Sequence, residues 1–319
     1  MQATHTARKV MHFLWHTHAI MQNHTDSLTA HKTIATQSMR MAGEHYENFP
    51  VASFFLPANL REPIALIYSF ARQADDFADE GDLAIEDRLS LLNSFREELD
   101  LLQAYIKPQT PFFATLGGMI NARKLPYPPF YALLDAFSQD VTKTRYSNYD
   151  EVLDYCERSA NPIGQLLLHL YQQSTPDNIR LSDNICTALQ IINFLQDIAI
   201  DFKKNAGKQR IYMCQDELAT FGISEQQIQE FITGSKPVNE NWQQFMLFNL
   251  LRVKKLLDSG KPLGRILKGR IGFEMRMIIA GGERIIYKLT RTGGDIFNRR
   301  PTLGYGDWAI IFLKALFRI

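Results

Sequence analysis

The chain has 319 residues, of which 45% are hydrophobic and 22% charged, and its formal net charge is only +1. That is enough apolar material for a large core, and the near-neutral balance excludes an overall basic nucleic-acid binder. The cysteines Cys156, Cys186 and Cys214 are odd in number and lack metal-site spacing, so they read as buried thiols of a reducing compartment, with cytoplasmic as the expectation.

Residues 1–40 carry no clear periodicity and read as a loose extension. The apolar run Val10–Met21 is broken by histidines, with no small-residue cleavage site after it, so it is not taken as a signal peptide. No linker or low-complexity tract follows, so residues 41–305 are expected to form one catalytic domain and 306–319 an apolar tail. The stripe Ile64, Ile67, Ala71, Ala74, Ala78 has the 3/4 spacing of an amphipathic helix. Leu89, Leu92, Phe95, Leu99, Leu102 repeat it, as do Ile185, Leu189, Ile192, Leu195, Ala199. Asn148 followed by Glu151 predicts a capped helix start. Breaks are expected near 108–111, 126–129, 174–178 and 234–237, where Pro and Gly cluster. Ala160-Asn-Pro-Ile-Gly164 predicts a kink, whose freed carbonyls face either a cation or nothing but packing. Alternating strand patterns are scarce, and the expected architecture is an all-α bundle of roughly eight to twelve helices.

Charge is unevenly spread. From Arg252 to Arg300 there are thirteen Lys/Arg against four Asp/Glu. Such a stretch suits a phosphate group, a membrane surface or plain solvent. Trp308–Phe317 is apolar except for Lys314, too short against the about 18 residues needed to span a bilayer but able to lie on one.

The chemistry sits in carboxylate pairs. With 19 aspartates, chance predicts about one Asp-x-x-x-Asp pair, whereas three occur: 75/79, 150/154 and 197/201. Asp150 and Asp154 open a helix, where the dipole favours acid, so structure explains them. Asp75, Asp76, Asp79, Glu80 and Asp82 crowd a helix end where it does not. Gln190, Asn193, Asp197 and Asp201 share one helical face, as do Tyr68, Arg72, Asp75 and Asp79. Magnesium prefers oxygen donors and usually takes one or two carboxylates with substrate phosphates, so two such faces suit a small ion cluster on a diphosphate; a merely solvated acidic face is the rival. Arg72 suits bidentate phosphate binding or a salt bridge to Asp75 or Asp76. Lys203, Lys204 and Arg210 are further phosphate candidates, against a solvated loop. Aromatics at Phe49, Phe54, Phe55, Tyr68, Phe70, Tyr146, Tyr149 and Tyr155 are mostly core in number, though ring faces also stabilise carbocations. No dinucleotide fingerprint, phosphate loop or nucleophile elbow is present.

Taken together, the stretches His45-Tyr-Glu-Asn-Phe49, Tyr68-x-x-x-Arg72-x-x-Asp75-Asp76-x-x-Asp79, Arg145-Tyr146 with Tyr149, Gly164, and Gln190-x-x-Asn193-x-x-x-Asp197-x-x-x-Asp201 with Arg210-Ile-Tyr212 resemble the squalene/phytoene synthase family. The resemblance implies a helical isoprenoid synthase fold with a central active-site cavity. It implies metal and diphosphate binding by Asp75, Asp79, Asn193, Asp197 and Asp201, with Arg72 and Tyr146 joining the four aspartates in catalysis. His45, Phe49, Tyr68, Arg72, Tyr146, Gly164, Gln190, Asn193, Arg210 and Tyr212 would contact substrate. Many members carry arginine just before the first aspartate of the second motif; here it is Gln196. With Gly281-Gly282-Glu-Arg284 and Arg300-Pro301, that looks like the bacterial hydroxysqualene synthase subgroup, HpnC type.

The subgroup implies magnesium-dependent ionisation of presqualene diphosphate and water capture to hydroxysqualene in hopanoid-linked squalene formation. A presqualene diphosphate synthase would supply the substrate and a reductase consume the product. No NAD(P)H and no nucleic acid are expected, and peripheral contact with the inner membrane face is consistent with so apolar a product. The rivals are head-to-head condensation of two farnesyl diphosphates and a non-catalytic assembly protein of the same fold.

Overall fold

The computed structural model describes residues 57–202 and 209–317. In the first part, α1 (Ala58–Asp79), α2 (Ile85–Gln103), α3 (Pro111–Arg123) and α4 (Pro128–Thr142) lead into strand β1 (Arg145–Tyr146), then α5 (Tyr149–Ser159), α6 (Asn161–Leu170) and α7 (Pro176–Asp201). Strand β2 (Ile211–Cys214) opens the rest, with α8 (Gln215–Thr220), α9 (Glu225–Thr233), α10 (Glu240–Gly260), α11 (Leu263–Ile266), α12 (Gly269–Arg291) and α13 (Tyr305–Phe317). The described residues thus hold thirteen helices, above the expected range because two are short pieces of 6 and 4 residues. The strands form one parallel pair, Arg145 opposite Ile211 and Tyr146 opposite Cys214.

Local chemistry sets these limits. Thr110 and Thr175 accept from the backbone N–H groups of Phe113 and Asn178, with Pro111 and Pro176 as first helical residues. The Asn148 side chain accepts from Glu151 N at 3.1 Å, and the Glu151 carboxylate returns to Ser147 N at 2.8 Å. The expected kink at Ala160–Gly164 is a full break: α5 ends, and Pro162 sits in the first turn of α6 where its missing N–H costs nothing. The Ala160 carbonyl is taken by Ile163 N at 3.2 Å, so that carbonyl is already engaged within the chain.

Two apolar clusters result. One joins α1 to α4 and part of α6 around Phe70, whose ring meets Phe113 and Phe130 edge-on. The other centres on α7, against which α6, α10 and α12 pack. Close approach there depends on glycine. A Cβ on Gly164 would lie 2.3 Å from Ser182 Oγ, and one on Gly282 would lie 2.8 Å from Leu189. The three predicted stripes face these cores: Ile64, Ile67, Ala74, Ala78, Leu92, Leu99, Ile185, Ile192 and Leu195 are all buried. Each acidic helix end therefore rests on its own core, α1 on the first and α7 on the second.

Candidate active site

On α1, Tyr68, Arg72, Asp75, Asp76 and Asp79 are half-buried along one flank of a helix whose other side is core. Arg72 donates to Asp76 at 2.6 Å and to Asp75 at 3.5 Å. Burial works against its charge, but Asp76 and Asp75 hold the guanidinium above its ordinary value. The unfavourable meeting of acids with a helix C-terminus has a physical remedy in Arg88. This buried side chain donates to the carbonyls of Phe77 and Glu80, both at 3.0 Å, and of Gly81 at 2.6 Å, setting positive charge on the negative end of the helix.

On α7, Gln190, Asn193, Asp197 and Asp201 are likewise half-buried in a row. Asp197 accepts from Arg300 Nε at 2.5 Å. Gln196 does not share that face: it is buried and donates to the Pro301 carbonyl. The Gln196 and Asp197 contacts together pin the Arg300-Pro301 segment against the end of α7.

Arg210 links the two halves. Its Nη1 reaches Asp79 at 3.2 Å and the Tyr212 hydroxyl at 2.9 Å, it lies 3.7 Å from the Asp140 carboxylate, and its Nη2 donates to the Asp140 carbonyl. Asp140 itself accepts from Tyr155 at 2.5 Å and Tyr212 at 3.1 Å. Burial pushes the Asp140 carboxyl up to about 6, against the opposing pull of Arg210 and the Tyr155 hydroxyl. Tyr212 stacks on Phe194 of α7, with centroids 3.9 Å apart, and the Asp201 charge acts on its phenol. The path Asp79–Arg210–Tyr212–Asp201 thus runs from one acidic face to the other.

Tyr146 is fully buried, its hydroxyl accepting from Gln139 at 3.2 Å and its ring edge-on to Tyr155. Burial, reinforced by the Asp140 charge, holds the phenols of Tyr146, Tyr155 and Tyr212 above the ordinary tyrosine range, so all three stay protonated. Tyr146 presents no atom to solvent. Gly164 lies apart from the aspartates, in an apolar cavity between α6, α7 and α12 that Leu168, Tyr171, Ile185, Ile271 and Met275 also line. Along α7 that cavity begins about 16 Å from Asp197, at 1.5 Å per residue from Cys186. His45, Phe49, Phe54, Phe55, Lys203 and Lys204 lie outside the described residues.

Hard oxygen donors on α1 and α7, each with an arginine paired to one of its aspartates, suit magnesium. Among the described residues no three His, Cys, Asp or Glu side chains converge on one point, so they do not form an all-protein cage. Asp140, Arg88 and Arg300 were not picked out as site residues from sequence. Asp140 carries a readable signal, an acid beside Phe137 and Val141 on the buried side of α4; the contact of Arg300 with Asp197 spans 103 positions and carries none.

A helical bundle with two half-buried acidic faces joined across a buried guanidinium defines an enzyme of the isoprenoid synthase class, which processes prenyl diphosphates. The squalene/phytoene synthase family model matches residues 42–306, and the chain belongs to that family. It is 35% identical over 247 residues to a hydroxysqualene synthase of Rhodopseudomonas palustris, covering 76% of this chain and 79% of the relative. It is 32% identical to one of Zymomonas mobilis, covering 82% and 85%. The crystal structure of squalene synthase HpnC from Alicyclobacillus acidocaldarius superposes with TM-score 0.73 at 30% identity, over 84% of this chain and 98% of that one.

Proposed function

We propose that the chain is a hydroxysqualene synthase acting on presqualene diphosphate within residues 41–305. The observation that carries this reading is the pair of acidic faces bridged by Arg210, together with relatives of that name over most of the chain's length. When bound by Asp75, Asp79, Asn193, Asp197 and Asp201, magnesium would neutralise diphosphate charge. Arg72 and Arg300, each half-exposed beside an aspartate, exchange that partner for phosphate oxygens and stabilise the leaving diphosphate where charge develops. The C–O bond to diphosphate breaks with its electron pair on the leaving group. The cyclopropylcarbinyl cation rearranges to an allylic cation shielded by ring faces, and a water oxygen forms the new C–O bond. The water's proton passes to diphosphate, because the phenols nearest the site are held protonated. Gly164 serves the close packing of α6 on α7, and the cavity beside it, about 30 Å³, has room for water but not for a hydrocarbon arm.

On this reading a head-to-head condensing enzyme supplies the substrate, a reductase consumes the product for hopanoid formation, and this enzyme uses no NAD(P)H. The lipid product is consistent with a cytoplasmic protein that touches the inner membrane face. No helix among the described residues is long and apolar enough to cross a membrane. The test is incubation of purified protein and Mg²⁺ with presqualene diphosphate and, separately, with farnesyl diphosphate. Hydroxysqualene and diphosphate are expected from the first alone; a C30 product from farnesyl diphosphate alone would overturn the assignment in favour of condensation.

A further inference from the structure

Helix α13 is apolar on both sides. Asp307, Ile311 and Ala315 face inward against α12, where Asp307 pairs with Arg284 at 2.6 Å and with Lys288. The opposite side presents Phe312, Leu313, Leu316 and Phe317, from 40% to 65% exposed, at the 3/4 spacing of one helical face. Isolated exposed leucines are ordinary, but a continuous stripe on a helix of 13 residues is not.

The surroundings are basic. Arg276 donates to the Ala315 carbonyl at 2.7 Å and to the Gly264 carbonyl at 2.8 Å, which ties the C-terminal end of α13 to α11. Exposed Arg265, Ile266, Lys268 and Arg270 lie there, and the three cations have no acidic partner among the described residues. Arg291 and Arg299 line a second basic groove beside the helix's other end, with Lys288 and Thr302. Ile271, next to Arg270, also lines the apolar cavity that reaches toward Gly164.

We propose that this face is a docking surface for an anionic lipid bilayer. The outward stripe of α13 lies in the headgroup–acyl boundary, and the cations at both ends meet phosphate groups. The helix is too short to cross, so it lies in the plane of the surface. A second copy of the chain fits the face poorly: a two-fold contact would set the face against itself and bring Arg265, Lys268 and Arg270 against like charge. The docking rests on the surface alone, independently of the proposed reaction.

Vesicle co-sedimentation of the full chain tests it. The wild type is expected to pellet with phosphatidylglycerol-rich vesicles, less with pure phosphatidylcholine, and less again at high salt. The triple variant Leu313→Ser, Leu316→Ser, Phe317→Ser should bind roughly tenfold more weakly. Arg265→Glu with Lys268→Glu and Arg270→Glu should lose the preference for anionic vesicles. Turnover of detergent-dispersed substrate should be unchanged in both variants. A wild type that stays in the supernatant, variants that bind like the wild type, or a serine variant that only converts a dimer to a monomer would each overturn the proposal. A wild type that turns over presqualene diphosphate but does not bind vesicles strikes the docking surface alone, and a wild type that binds vesicles without turnover strikes the reaction alone.

Discussion

The two acidic ends are built from equivalent side chains but held in place differently. At the end of α1, Asp75 and Asp76 are paired by Arg72 three and four residues away, and Arg88 reaches back only 7 to 11 residues to the helix carbonyls. At the end of α7, Asp197 is held by Arg300, 103 positions away, and Gln196 by Pro301, 105 positions away. Apart from Asp79, which Arg210 reaches from 131 positions away, the first end is organised by α1 and the start of α2, whereas the second is assembled only once the C-terminal segment folds over it. Local wiring gives an end that forms with its helix; distant wiring gives an end whose geometry depends on tertiary folding. Chemistry that needs both ends at once depends on the slower and more fragile of the two.

If the ends are equal partners in holding diphosphate, removing a carboxylate from either should have the same consequence. Asp75→Asn and Asp197→Asn keep size and shape and remove one charge each. Both are expected to lower diphosphate release on the order of 10³-fold, with helical circular dichroism unchanged. A variant at one end with near wild-type turnover would break the symmetry and leave chemistry to the other end alone.

Arg210 is the contact on which the comparison turns, since it belongs to neither helix and touches Asp79, Tyr212 and Asp140. Arg210→Met fills similar volume and strands two carboxylates, one of them wholly buried. The expected cost is about 3–5 kcal/mol in denaturant unfolding, because removing one member of a buried pair leaves the other uncompensated. Asp140 gives the same cluster a pH signature. Burial raises its carboxyl to about 6, so the folded state binds this proton more tightly than the unfolded chain. By linkage, stability from this group is fully present below about pH 4 and is lost as pH rises through about 6. Asp140→Asn should remove that slope, read as Tm against pH; an unchanged slope would assign it to other groups.

What the sequence made legible follows the same division. The helical class, the core stripes and both carboxylate faces depend on spacings of three and four residues, which a sequence displays directly. Gln196 was noticed as a departure, but its bond to Pro301 was not readable, because nothing local says which carbonyl a buried amide will find. Apolar neighbours mark Asp140 in the sequence but not its partners, Tyr155 of α5, Tyr212 of β2 and Arg210 just before that strand. Tyr146 is fully buried between Tyr155 and Tyr212, a depth that its place in the motif does not display. The break at Ala160 in place of a kink has a local cause that propensity alone underweighted: proline two residues on favours a fresh helix start.

Arg300 gives the smallest expected effect on stability and the sharpest contrast between the ends. Its pair with Asp197 is partly exposed, 37% and 24% on the two side chains, so Arg300→Gln should change unfolding free energy by less than about 1 kcal/mol. Arg72→Gln, at a helix surface of similar exposure, should be as mild in stability. Turnover is where they should differ. Arg72 stays beside its aspartates whenever α1 is folded, while Arg300 must be carried in by a segment anchored through Pro301. Losing Arg300 therefore removes a phosphate partner and also the ion pair that fixes that segment to α7, while the Gln196–Pro301 and Lys288–Thr302 contacts remain. An Arg300→Gln enzyme should show a raised KM that added salt barely worsens, because the charge that salt would screen is already gone. A KM matching the wild type at every ionic strength would mean that the distant arm closes without its charge, and that the two ends are equally self-sufficient.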